Sequence, residues 1–264
     1  MLTLISAKLA TVEELFKYKS ENFKLNMFPG YSFDQWGIKA HNRPWIDDVG
    51  KFKKGQKIIE VGGAYSTLPE YLAKKYKLEA WVGDDFGLKN NENTWSRWGN
   101  PKNNINANQN TKYIFEPFGI YSDKYPDGYF DRIFSVSTLE HIDYKNRVDV
   151  FKDMNRCTKR FGMQIHTIDV GSTSIKNCLL STIADRVPYI NIFSNHLISE
   201  FKLWKNIISA SGIKVDTKFP QPYELMDRSV LVESPDVVYK YYPPNNAVKS
   251  YIPAASLLLI IVDK

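Results

Sequence analysis

The run Lys57-Ile58-Ile59-Glu60-Val61-Gly62-Gly63-Ala64-Tyr65-Ser66 constrains the fold more than any other part of this chain. A short apolar strand carries an acid near its end, small residues follow as a tight turn, and Leu68 to Tyr76 reads as a helix. Strand, turn and helix N-terminus form the opening unit of a doubly wound α/β sheet, in which ligands bind outside the carboxyl ends of the strands. The dinucleotide pattern G-x-G-x-x-G would place glycine where this chain has Gly62, Ala64 and Thr67, so it is met once in three. Glu60 would repel a pyrophosphate, yet it suits a ligand carrying ammonium and sulfonium groups.

Two further segments follow in order. Ala80-Trp81-Val82-Gly83-Asp84-Asp85 is an apolar strand ending in two acids, and an acid at that point reaches the ribose hydroxyls of an adenosine ligand. Phe130-Asp131-Arg132-Ile133-Phe134-Ser135-Val136-Ser137-Thr138-Leu139-Glu140-His141-Ile142 reads as another buried strand and its turn, preceded by the turn Tyr125-Pro126-Asp127-Gly128. With Glu60, Gly62, Ala64 and Ser66 on the spacing acid-x-G-x-G-x-G, these segments resemble class I S-adenosylmethionine-dependent methyltransferases of the broad small-molecule type. Ala64 and Ser66 depart from that pattern. They allow close backbone approach but lack the freedom of glycine at positive φ.

The resemblance runs from about Gly55 to the C-terminus. It implies a Rossmann-like, mostly parallel seven-stranded sheet whose last strand is antiparallel. Val150 to Cys157 reads as a helix, Lys159-Arg160-Phe161-Gly162 as a turn, and Met163 to Ile168 as the fifth strand of that core. A helix from Phe193-Ser194 through Ser209 leads to Ser211-Gly212-Ile213-Lys214-Val215. The apolar run Ala255 to Val262 is far shorter than the roughly 20 residues of a membrane span and suits a central strand. The implied cofactor is S-adenosyl-L-methionine, held by Glu60, Gly62, Gly63, Ala64, Ser135, Ser137 and Asp85, with Asp84 taking the ribose if the register slips by one.

Methyl transfer to a hydroxyl gains from a general base, whereas an amine can dispense with one. Strand carboxyl ends make His141, and His166 together with Asp169, the candidates; His196 and His41 are weaker. Each histidine also has a structural reading, as a half-buried strand residue or a turn residue bonded only to backbone. Neither cysteine follows a proline, and no (Asp/Asn)-Pro-Pro-aromatic motif follows the fourth strand, which sets base-modifying subclasses aside. Asp169-Val170 lacks the Asp-Asn pair of metal-dependent relatives, so no metal is expected.

Residues 1–54 form an N-terminal extension: a helical stretch from Val12 to Tyr18, then an aromatic loop with Phe28, Tyr31, Phe33, Trp36, His41, Arg43 and Trp45. It serves equally well as a lid over the pocket or as packing on the sheet's outer helices. Residues 55–264 form the core, with insertions at about 89–112, which includes nine asparagines, and at 217–253. Lys and Arg number 35 against 29 Asp and Glu, an excess of +6 spread over short lysine clusters, and a nucleic-acid partner is not expected. Two cysteines without metal or disulfide spacing and no secretory signal point to a cytoplasmic setting. The expected partner is a small-molecule acceptor, anionic or sugar-like. Two other readings share this architecture: a catalytically silent scaffold, and an enzyme using NAD.

Overall fold

The computed structural model describes residues 1–19, 37–64, 66–86, 105–171, 199–232 and 254–264. Eight strands make one sheet: β1 (Leu2–Leu9), β2 (Lys57–Val61), β3 (Glu79–Gly83), β4 (Thr111–Ile114), β5 (Phe130–Val136), β6 (Thr158–Gly171), β7 (Lys214–Val215) and β8 (Ala254–Asp263). Their spatial order is β4-β3-β2-β5-β6-β8-β1-β7. The ladders joining β4, β3, β2, β5 and β6 are parallel, and β8 runs antiparallel to both β6 and β1. Chain order reverses between β2 and β5, so their carboxyl ends form the switch point where ligands bind in sheets of this kind.

Helices cover both faces. On one lie α1 (Val12–Lys19), α2 (Gly37–Gly50) and α3 (Leu68–Tyr76); on the other lie α4 (Arg147–Cys157) and α5 (Glu200–Ala210). Strand alternation sorts the core accordingly. Ile58, Phe134, Ile165 and Leu258 pack with Ile38, Trp45, Ile46 and Leu72, while Ile59, Ile133, Ile168 and Leu257 pack with Phe151, Met154, Trp204 and Ile207. The run in β8 is apolar without alternation because both of its faces are buried.

Several expectations are modified. The sheet has eight strands rather than seven, because Leu2–Leu9 enters it between β8 and β7. Residues 37–50 are a helix with Pro44 inside it, not part of a loop. Lys159 to Gly162 do leave the ladder, but within one strand: Thr158 pairs with Phe130 and Met163 already with Arg132, and Phe161 has φ 61°. The helix expected from Phe193 is described over Glu200–Ala210, with Ser199 accepting from the Lys202 amide at its N-cap; 193–198 lie outside the described residues. So do Cys178, His196, Trp36, the aromatics between 28 and 33, and most of both insertions. Among the described residues no helix is long and apolar enough to cross a membrane.

Candidate active site

The turn after β2 begins at Gly62, whose φ of +73° favours glycine on backbone grounds. A Cβ there would also lie 2.0 Å from Thr138 Cγ2, on the turn after β5. Thr138 Oγ1 lies 3.2 Å from the Val136 carbonyl and 3.4 Å from the Gly62 carbonyl, and the Gly62 amide donates to the Gly83 carbonyl at 2.8 Å. The ends of β2, β3 and β5 are thus locked together. Ser137 has φ +48° and Phe86 +53°, so each of the three strand ends carries a residue in the left-handed region. Such conformations persist only where the surroundings impose them, and they concentrate at ligand sites.

Glu60 is fully enclosed beside this turn. Desolvation raises its carboxyl from 4.5 to about 7, helped by the nearby Asp84 charge and opposed by a hydrogen bond from Ser66 and by the Arg43 guanidinium. Its Oε2 has no hydrogen-bond partner among the described residues. Gly63 lies directly against it: a Cβ at that position would sit 3.0 Å from Glu60 Cδ. A buried carboxylate oxygen without a donor, next to a turn without side chains, fits a cationic ligand group and rejects an anionic one.

Asp84 and Asp85 divide the work at the end of β3. Asp84 is buried and turned inward; its Oδ2 accepts from the Ala64 amide at 3.2 Å and its Oδ1 from the Phe86 amide at 2.7 Å. Burial and the neighbouring Asp85 raise it to about 6 against those two bonds. Asp85 lies beside it, half-buried. On the far side of the turn Asn108 donates to the Ser66 carbonyl at 3.3 Å and to the Tyr113 hydroxyl at 2.8 Å. That part of the asparagine-rich segment is therefore built into the site's wall.

The base candidates separate by strand parity. His166 and Asp169 are three positions apart on β6 and so project from opposite faces. His166 points toward α4: it is fully buried, its Nδ1 lies 2.9 Å from Ser135 Oγ, its Nε2 3.4 Å from Gln164 Oε1, and its ring meets Phe151 edge-on. Burial lowers it to about 3. Ser135 is its partner on that same face, and both are buried in the core. His141 ends the short 3-10 turn Leu139–His141 with its side chain 77% exposed, next to Glu140.

Asp169 takes the other face, with Ser137. The Ser137 hydroxyl donates to Asp169 Oδ1 at 2.7 Å, and Asn42 Nδ2 on α2 lies 3.4 Å from the same hydroxyl. The sequence alone assigns no role to Asn42, Thr138 or Asn108. Only Asn42 left a signal, the helical spacing of Ile38, Asn42, Trp45 and Val49.

Sheet order, switch point and turn together are those of the class I S-adenosylmethionine-dependent methyltransferase fold. The chain superposes on Haemonchus contortus phosphoethanolamine N-methyltransferase 2, solved with phosphomonomethylethanolamine and S-adenosylhomocysteine, with a TM-score of 0.50 at 15% identity over 96% of this chain and 60% of that one. Geranyl diphosphate C-methyltransferase from Streptomyces coelicolor A3(2) gives 0.47 at 10% identity, covering 89% and 85%. The YcgJ protein of Bacillus subtilis gives 0.48 at 12%, covering 85% and 98%. At these identities the likeness is one of fold. No protein-family model matches the chain, and no curated protein does.

Proposed function

We propose that this protein is an S-adenosylmethionine-dependent methyltransferase acting on an oxygen or nitrogen of a small molecule. The observation that carries the reading is Glu60: a buried carboxylate, raised to about 7, with one oxygen lacking a donor beside a glycine turn. Glu60, Gly62, Gly63 and Ala64 would hold the cationic end of the cofactor, and Asp85 its ribose, with Asp84 bracing the turn between them. Bound there, the cofactor supplies an electrophilic methyl group on sulfur.

The chain's own part is then mostly positioning and exclusion of water, because the thioether leaves readily. Asp169, fixed by Ser137, is the carboxylate on the α2 side of β6, and it would take the proton from an acceptor hydroxyl or orient an acceptor amine. His166 and Ser135 are assigned to the core, and His141 to the rim. Helix α2 would help to close the site, since Asn42 touches Ser137.

Calorimetric titration with S-adenosylmethionine and S-adenosylhomocysteine tests this, with NAD and a Glu60→Ala/Asp85→Ala variant as controls. Micromolar binding of both adenosyl ligands, lost in the variant, is expected. Failure of both to bind would refute the proposal, and preferential binding of NAD would replace it. Tight binding with no turnover on any acceptor would favour the silent scaffold.

A further inference from the structure

Beneath α2, at the carboxyl end of β6 and the amino end of β8, the sheet gathers polar side chains that folding alone leaves incompletely used. Thr167 and Asp169 share a face of β6, and Ser256 is the register partner of Asp169 on β8. Residues opposite one another in an antiparallel ladder project to the same side. That side belongs to α2, since Ile165 and Leu258, two positions away on each strand, pack with Ile38, Trp45 and Ile46. Asn42 reaches the cluster from α2 through Ser137, which enters it from the turn after β5, and His41 stands behind Asn42, its Nδ1 3.3 Å from Asn42 Oδ1.

Thr167, Ser256 and His41 are each 0% exposed. Thr167 Oγ1 and Ser256 Oγ have no hydrogen-bond partner among the described residues. His41 Nε2 stands 3.4 Å from Glu14 Oε2 on α1 without making an aligned hydrogen bond. A buried hydroxyl left without a partner is destabilising, and two on one face beside a carboxylate are an arrangement that a ligand completes. The charge of the cluster limits which ligand. Burial pushes the Glu14 carboxyl up, but the His41 ring and the Lys8 ammonium outweigh it and hold it at about 2. Glu14 therefore keeps a negative charge on the far side of His41, and Asp169 lies inside the cluster.

We infer that this cluster is the acceptor subsite, that its ligand is a neutral or cationic small molecule bearing hydroxyl or amino groups, and that Thr167, Ser256 and Asn42 determine specificity for it. A phosphate or carboxylate group would meet the Asp169 carboxylate here; a polyol or amino alcohol would meet hydroxyls, a carboxamide and one proton acceptor. The inference rests on the methyltransferase reading and narrows it.

The test uses the full chain, radiolabelled S-adenosylmethionine and a deproteinised bacterial extract split on an anion exchanger at about pH 8, where phosphate and carboxylate metabolites are retained. Label is expected in products from the flow-through. For Thr167→Val and Ser256→Ala the half-saturating amount of that fraction should rise about five- to tenfold, as losing one ligand hydrogen bond requires. S-adenosylhomocysteine affinity should stay unchanged, and the Tm unchanged or higher. Label confined to the retained fraction, label in neither, or unaltered half-saturation in both variants would overturn the inference while leaving a cofactor-binding protein intact. Loss of S-adenosylhomocysteine binding by the wild-type protein would instead remove the methyltransferase reading on which it rests.

Discussion

Replacing Glu60 with glutamine should make the unliganded protein more stable, and only above a certain pH. The Glu60 carboxyl ionises at about 7 in the fold against an ordinary 4.5. The folded state therefore holds this proton more tightly than the unfolded chain does. Below about pH 4.5 both states are protonated and the site carries no penalty. Between about 4.5 and 7 the unfolded chain gives up the proton first, and the penalty grows until, above about 7, it is complete. At 1.36 kcal/mol per pH unit the full cost is about 3 kcal/mol. Glutamine has nearly the same shape, can still meet Ser66, and removes the charge that Asp84, itself raised to about 6, repels. Urea unfolding of both proteins at about pH 5 and about pH 8 should show a gain for Glu60→Gln that is small at the lower pH and approaches 3 kcal/mol at the higher. The same variant should lose affinity for S-adenosylmethionine, since the sulfonium ligand is what would neutralise the carboxylate. A variant equally stabilised at both pH values, or less stable than wild type at the higher one, would refute the account of Glu60 as a destabilised, ligand-directed charge.

Three other outcomes follow from the geometry. Gly62→Ala should cost on the order of 1–3 kcal/mol from its left-handed backbone alone, with more from the clash with Thr138, and Gly62→Ala/Thr138→Ala should recover part of the loss in thermal unfolding. Asp153, fully buried, accepts from the Gly119 and Tyr121 amides and from Arg156; Asp153→Ala should destabilise by about 3–5 kcal/mol in urea, because it leaves those donors without their carboxylate. His166→Gln should lower the Tm but leave the pH dependence of turnover unchanged, since burial has already moved that imidazole to about 3; a lost acid-side limb in the pH–rate profile would return His166 to the chemistry.

Much of this was legible in the sequence, and the lapses have physical causes. The β2 turn, α3, β5 and β8 stand almost where the residue pattern places them, because each is a buried strand or an amphipathic helix bounded by turn residues. The pairing of His166 with Asp169 failed on parity, which the sequence itself contains once β6 is recognised as a strand: three positions apart means opposite faces. Strand β1 escaped notice because a register shift between Leu4 and Ser6 breaks its alternation. Helix α2 was hidden by Pro44, which removes a backbone donor and normally argues against a helix interior, although Ile38, Asn42, Trp45 and Val49 keep helical spacing around it. Ser256 was concealed inside an apolar run, and nothing local distinguishes a lone hydroxyl there. Its register opposite Asp169 is a property of the assembled sheet.

The position of β1 between β8 and β7 bears on how the molecule is made. Leu2 pairs with Asp263 and Leu9 with Leu257, so a strand made early has a partner that is made long after it. Contacts of such sequence separation slow folding, since the chain entropy of closing the loop is lost before the contact forms. On the ribosome Leu2–Leu9 must therefore wait, edges unpaired, while the parallel ladders from β2 to β6 can already assemble. A nascent chain of this protein would carry a sticky, unsheathed strand through most of its synthesis, which makes it a natural client for chaperones that bind short apolar segments.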